Sequence, residues 1–178
     1  MTHAPAKSTN PIVVDRRFVL GGTVALAGAA VLTPGAANAQ RGAEPTGQTA
    51  VLDLDGNNAV DVAVLNPGEL IVVSTAGTFY GILRRSAEQI AAAQASEGER
   101  DPAADADRVV SEEYLVVDMA CPHRGCQVGY SNEAAEPFLC PCHRSYFDAA
   151  GRVLGGPARS NLGVPPYQIS GTVVTFTE

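Results

Sequence analysis

The chain has 178 residues, 46% hydrophobic and 17% charged, which suits one globular domain with a modest core plus an extra segment at one end and excludes a disordered chain. The formal net charge is −7, and no basic stripe is present to neutralise phosphates, so nucleic-acid binding is excluded. An acidic surface of this kind favours solubility and a basic protein partner.

Residues 1–39 read as a segment apart. Arg16 and Arg17 precede an apolar run from Phe18 to Leu32, followed by Pro34 and the small-residue pattern Ala37-Asn38-Ala39. This is the layout of an export signal with a cleavage point before Gln40. The adjacent arginines point to the twin-arginine route, which exports folded proteins and suits one that receives a cofactor in the cytoplasm. An ordinary secretory signal and an uncleaved N-terminal membrane anchor are the alternatives. The run has 15 residues, short for a span of about 20, but continued through Ala37 it reaches 20. The expected location is the periplasmic face of a bacterial inner membrane, or the soluble periplasm if the signal is removed after Ala39. Residues 40–58, Gly, Pro and polar side chains with one short apolar patch, read as a linker, and 59–178 as the folded domain.

Within that domain "AVDVAVL", "ELIVVST" and "TFYGIL" are β-branched or aromatic runs separated by the turn signals "NPG" and "AG", and they predict an antiparallel meander. Ser86, with Gln89 three residues on, predicts a capped helix start, and "AEQIAAAQA" carries that helix towards Gly98. The acidic "EGERDPAADADR" predicts an exposed loop, and "EYLVVDM" a strand that delivers Cys121. At the far end "YQIS" and "TVVTFT" flank Gly171 as a closing hairpin. The class is mostly β with one helical insert.

All four cysteines and two of the three histidines stand within the 23 residues from Cys121 to His143. Cys121-x-His123 and Cys140-x-x-His143 are separated by sixteen residues, with Cys126 and Cys142 beside them at matching places. Two thiolates and two imidazoles suit either a tetrahedral zinc ion or a two-iron cluster whose irons differ. Zinc knuckles usually pair like with like, whereas each knot here offers one Cys and one His. No Ser-His-Asp set, paired-carboxylate site or phosphate loop stands out, so the polypeptide alone is expected to catalyse nothing.

The two knots resemble the C-x-H-x-G-C and C-x-C-H-x-S signature of the Rieske iron-sulfur family, with Gly125 and Ser145 also in place. The resemblance covers most of residues 59–178. It implies an antiparallel β sandwich with an inserted cluster-binding subdomain at about 120–160 and one helix-loop insert. It also implies one [2Fe-2S] cluster, with Cys121 and Cys140 on one iron and His123 and His143 on the other. Together with the oxidising compartment that an export signal implies, it makes Cys126 and Cys142 a disulfide. Imidazoles in place of thiolates raise the potential of such a centre, and their far nitrogens carry protons.

Further residues are tuning groups by the same resemblance. Ser145 matches a serine that donates a hydrogen bond into the cluster. Phe147 stands where high-potential members have a tyrosine, so one hydrogen bond is lost and an intermediate potential is expected. Pro157, in "GGPARSNLGVPPY", matches the proline of a third loop that covers the cluster, while Arg159 stands where quinol-oxidising members have a second proline. The body is similar to the iron-sulfur subunit of cytochrome bc complexes, in which the head takes an electron from quinol beside cytochrome b and gives it to a c-type cytochrome. There His143 would contact the quinol, with His123 as a second proton-carrying candidate. Arg124 and Arg144 depart from that group, in places usually apolar and glycine. The cluster loops are instead similar to the small subunit of arsenite oxidase, where the partner is a molybdoenzyme large subunit. Membrane association is expected in the first reading, electron relay in the second.

Overall fold

The computed structural model describes residues 10–16, 51–54 and 56–177. The export-signal or anchor reading beyond Arg16 lies outside the described residues. Among them, no helix is long and apolar enough to cross a membrane.

Three four-stranded sheets form the body. The central one contains β2 (Val51–Asp53), β4 (Glu69–Thr75), β5 (Thr78–Arg84) and β6 (Tyr114–Asp118), in the order β2-β4-β5-β6. The β4–β5–β6 part is an antiparallel meander, with Leu70 opposite Leu83 and Leu83 opposite Leu115. Its strands read as unbroken apolar runs because both faces are covered. Successive side chains point to opposite faces. Leu70, Val72, Leu83, Leu115 and Val117 therefore pack into one core with the cysteine loops. Ile71, Val73, Ile82, Tyr114 and Val116 pack into a second core on the other side.

That second core is closed by the sheet β1-β3-β12-β11: β1 (Ile12–Val13), β3 (Ala59–Asp61), β11 (Tyr167–Ser170) and β12 (Val173–Phe176). β11 and β12 form the expected hairpin across Gly171. The expected meander is corrected at its first member. "AVDVAVL" supplies β3, which leaves the β4–β5 sheet and pairs antiparallel with β12. At three residues it is too short for its composition to select a neighbour, and the two-sided core decides instead.

Two further readings change. Residues 40–58 are not all linker, since β2 pairs parallel with β4 and Leu54 is buried in the second core. Residues ahead of the arginine pair join the domain as well: β1 pairs parallel with β3, Val14 is buried, and Arg16 forms an ion pair with Glu69 at 3.1 Å.

The helix α1 (Ala87–Gln94) begins with the expected capping box between Ser86 and Gln89. It ends at Gln94, short of Gly98. The acidic stretch behind it is no free loop. It holds a 3₁₀ turn at Asp105–Asp107, and Asp105 is buried in a bidentate pair with Arg85 at 2.6 and 3.1 Å.

The third sheet, β10-β9-β8-β7, is small: β7 (Gly129–Tyr130), β8 (Phe138–Leu139), β9 (Tyr146–Phe147) and β10 (Val153–Gly155). It carries the second cysteine knot between β8 and β9, while β6 and β7 frame the first.

Candidate metal centre

The two knots close with the same hydrogen bonds. Cys121 N–H donates to Cys126 O at 2.8 Å, and Gly125 N–H donates back to Cys121 O at 2.7 Å. In the second, Cys140 N–H donates to Ser145 O at 2.7 Å and Arg144 N–H donates to Cys140 O at 3.0 Å. The fourth residue after each leading cysteine has positive φ, +73° at Gly125 and +59° at Arg144. The loops are thus one turn used twice, and the disulfide Cys126–Cys142 ties them together.

Inside this pair, Cys121 and Cys140 are free thiols, each 1% exposed. Burial pushes the Cys121 thiol up, while the His123 backbone N–H and the Ser145 hydroxyl pull it down. A thiol deprived of water in this way favours a bound cation that stabilises its thiolate. The sulfurs of Cys126 and Cys142 lie within 4.8 Å of Cys140 Sγ, but as disulfide sulfurs they offer no thiolate. His123 and His143 meet edge to face with ring centroids 4.8 Å apart. His123 Nδ1 is buried and makes no hydrogen bond within the protein, a costly state for an imidazole nitrogen unless another ligand uses its lone pair. Desolvation, then His143, then Arg124 hold His123 below the ordinary histidine value, in the neutral form that binds metal. The donor set present, two buried thiols and two imidazoles with one nitrogen left unpaired, fits the cluster.

The third loop lies against the second knot. Ser145, fully buried, accepts Ala158 N–H on its Oγ at 3.0 Å. Pro157 is exposed at the loop's edge. Phe147 is fully buried in the first core, whereas Tyr146 lies half-buried across Gly155, where a Cβ would fall 2.3 Å from its ring. The two neighbours thus point to opposite sides of the strand.

Several residues of the site escaped the sequence reading. Gly156, with φ +82°, lies so close to the second knot that a Cβ would come within 2.5 Å of Arg144 O and Ser145 Cα. Arg100, from the acidic stretch, donates to Gly156 O and, at 3.4 Å, to Ala158 O. Asp101 accepts Asn161 N–H at 2.8 Å. Beneath the site the buried pair Arg152–Asp148, 2.6 Å, reaches the helix insert through Ala93 O at 2.5 Å and Ala103 O at 3.0 Å. Breaking such a pair costs about 3–5 kcal/mol because one charge stays buried alone. The only local signal was the Asp-x-x-x-Arg spacing in "FDAAGR".

A Cys/His double knot carried by the small third sheet and packed on one face of the central sheet has the donors of an iron-sulfur domain, and a family model for the Rieske [2Fe-2S] domain matches residues 57–168. The chain belongs to this family, whose domain binds one [2Fe-2S] cluster. It is 37% identical over 116 residues to the ubiquinol-cytochrome c reductase iron-sulfur subunit of Rhodospirillum rubrum, covering 61% of this chain and 63% of the relative. It is also 37% identical over 118 residues to the mitochondrial Rieske subunit of the cytochrome b-c1 complex of Schizosaccharomyces pombe, covering 65% and 51%. The matches therefore span about half to two thirds of these relatives. A chain of a hyperthermophilic respiratory complex III shares the fold at a TM-score of 0.50 and 22% identity, over 68% of this chain and 75% of that one.

Proposed function

We propose that this protein is the Rieske electron-transfer subunit of a cytochrome bc-type complex, passing electrons from quinol to a c-type cytochrome at the periplasmic face of the membrane. The reading is carried by the likeness to iron-sulfur subunits of such complexes across the head. That likeness favours it over a molybdoenzyme small subunit. The export signal or anchor would lie within residues 1–39, of which Ile12, Val13, Val14 and Arg16 also pack on the head.

Cys121 and Cys140 would hold one iron, and His123 and His143 the other. The cluster supplies a one-electron couple when bound. Buried Cys121 and Cys140 exclude water from their side of the site, while exposed His143 stands on the open side. There its ring would accept a hydrogen bond and then the proton of a quinol hydroxyl. The disulfide ties the two histidine-bearing loops together, the third loop braces the second, and Ser145 stabilises the Cys121 sulfur.

The test is an EPR-monitored redox titration of the full chain produced with iron, repeated at several pH values. A Rieske-type signal with a high midpoint that falls with pH supports quinol oxidation. A Rieske signal at a lower midpoint, flat through neutral pH, refutes the quinol step, and a diamagnetic zinc protein refutes the cluster in this chain.

A further inference from the structure

From Val51 onward the chain has no lysine, and its arginines divide sharply in their pairing. Arg84, Arg85 and Arg152 are each held by a carboxylate, and Arg100 and Arg108 by backbone carbonyls. Arg124, Arg144 and Arg159 are exposed and have no hydrogen-bond or ion-pair partner for their side chains among the described residues. These three occupy the first knot, the second knot and the third loop respectively, one in each segment that closes around the site. The cations without partners are thus gathered at one tip of a chain whose formal net charge is −7.

Arg144 carries a second observation. It fills the left-handed position that Gly125 fills in the matching knot, at φ +59°, where a side chain costs about tenfold in the local equilibrium relative to glycine. The knot's own hydrogen bonds hold this backbone, Arg144 N–H to Cys140 O at 3.0 Å among them, but the guanidinium adds no contact within the chain that would favour arginine over glycine there. Residues held in such conformations by the surrounding structure cluster at functional sites.

We propose that Arg124, Arg144 and Arg159 form a basic docking face around His123 and His143, fitted to an acidic patch on the protein that exchanges electrons with this head. The proposal rests on the electron-transfer reading above. Net charge alone favours a basic partner; the distribution reverses that at the tip. An acidic partner is repelled by the body and attracted only where the histidines emerge, so its approach is oriented. A protein patch is favoured over anionic lipid because Arg124 and Arg144 directly follow His123 and His143, through which an electron would leave, and a lipid headgroup carries no redox centre.

The experiment measures binding of the full-length protein to immobilised poly-L-glutamate at about 0.01 M and 0.15 M salt, where charge attraction is long-ranged and then screened. Wild type is expected to bind at low salt and Arg124→Gln/Arg144→Gln to bind about tenfold more weakly, with Arg159→Gln adding to the loss. Arg84→Gln, which removes an arginine paired elsewhere, leaves binding unchanged. Arg144→Gly keeps the backbone and serves if the glutamine variant misfolds. In parallel, reduced protein is oxidised by hexacyanoferrate(III), which takes one electron and becomes hexacyanoferrate(II). The hexacyanoferrate(III) trianion should react more slowly as salt rises with wild type, despite the net negative charge, and lose that dependence with the double variant.

Equal binding by wild type and double variant overturns the proposal. So does a loss seen on phosphatidylglycerol vesicles but absent on polyglutamate, which would make the face a lipid contact. The polyglutamate measurement needs no redox activity, so failure of the electron-transfer reading would appear separately, as a missing EPR signal with binding intact.

Discussion

Gly156→Ala tests whether the third loop is wedged against the second knot. The alanine Cβ would lie 2.5 Å from Arg144 O and Ser145 Cα and 2.7 Å from Ser145 N, all backbone atoms that cannot swing aside. At φ +82° the side chain itself costs about 1 kcal/mol. To relieve the overlap the loop must withdraw, which breaks the 3.0 Å Ala158 N–H to Ser145 Oγ bond, worth about 1 kcal/mol. Residual overpacking adds at least about 1 kcal/mol. The sum, about 3 kcal/mol, lowers the melting temperature by roughly 10 °C in a domain of this size. Gly171→Ala is the control, with φ +59° but nothing within 4 Å of the new Cβ, so only the conformational cost of about 1 kcal/mol applies. Thermal unfolding followed by circular dichroism gives both values. Equal melting temperatures for the two variants would refute the wedge.

Phe147→Tyr should raise the midpoint potential by about 40 mV if the new hydroxyl donates to the site, since a hydrogen bond worth about 1 kcal/mol converts at 59 mV per tenfold for one electron; redox titration reads it, and no upward shift defeats the tuning argument. Tyr130 and Tyr167 are buried, with their phenols raised above 10.0 first by desolvation. Their contribution to stability is therefore fully present below the unfolded value of 10.0 and is lost as pH rises through the folded values. Absorbance titration at alkaline pH should show both ionising later than exposed tyrosine, together with unfolding. Val14→Asp places a charge in the second core where Val14 is 6% exposed, and should release β1. In hydrogen exchange of the full chain the amides of 10–16 then exchange about tenfold faster or more, as expected when strand pairing is lost, whereas unchanged protection would show that β1 holds by other contacts.

What was legible in the sequence was local chemistry. The cysteines and histidines could be read because metal-binding and redox chemistry require particular side chains at short spacings, and the capping box at Ser86 because a helix start is closed by residues three apart. The hairpin at Gly171 was readable for the same reason: both strands and their turn lie within one short stretch.

Partner choice over long distances was not legible. β3 pairs with β12 and β2 with β4 because two cores lie on opposite faces of the central sheet, and strands of two to four residues contain too little pattern to name a neighbour. The role of Gly156 depends on the backbone of Arg144 and Ser145 lying against it, and the buried Arg152 on a helix carbonyl, that of Ala93, more than fifty residues earlier. Which arginines are free is likewise a property of the folded molecule. Charge composition by itself favoured a basic partner for the whole protein, but only the tertiary structure neutralises some arginines and leaves Arg124, Arg144 and Arg159 without a partner among the described residues, because ion pairing is decided by distance in space and not by distance along the chain.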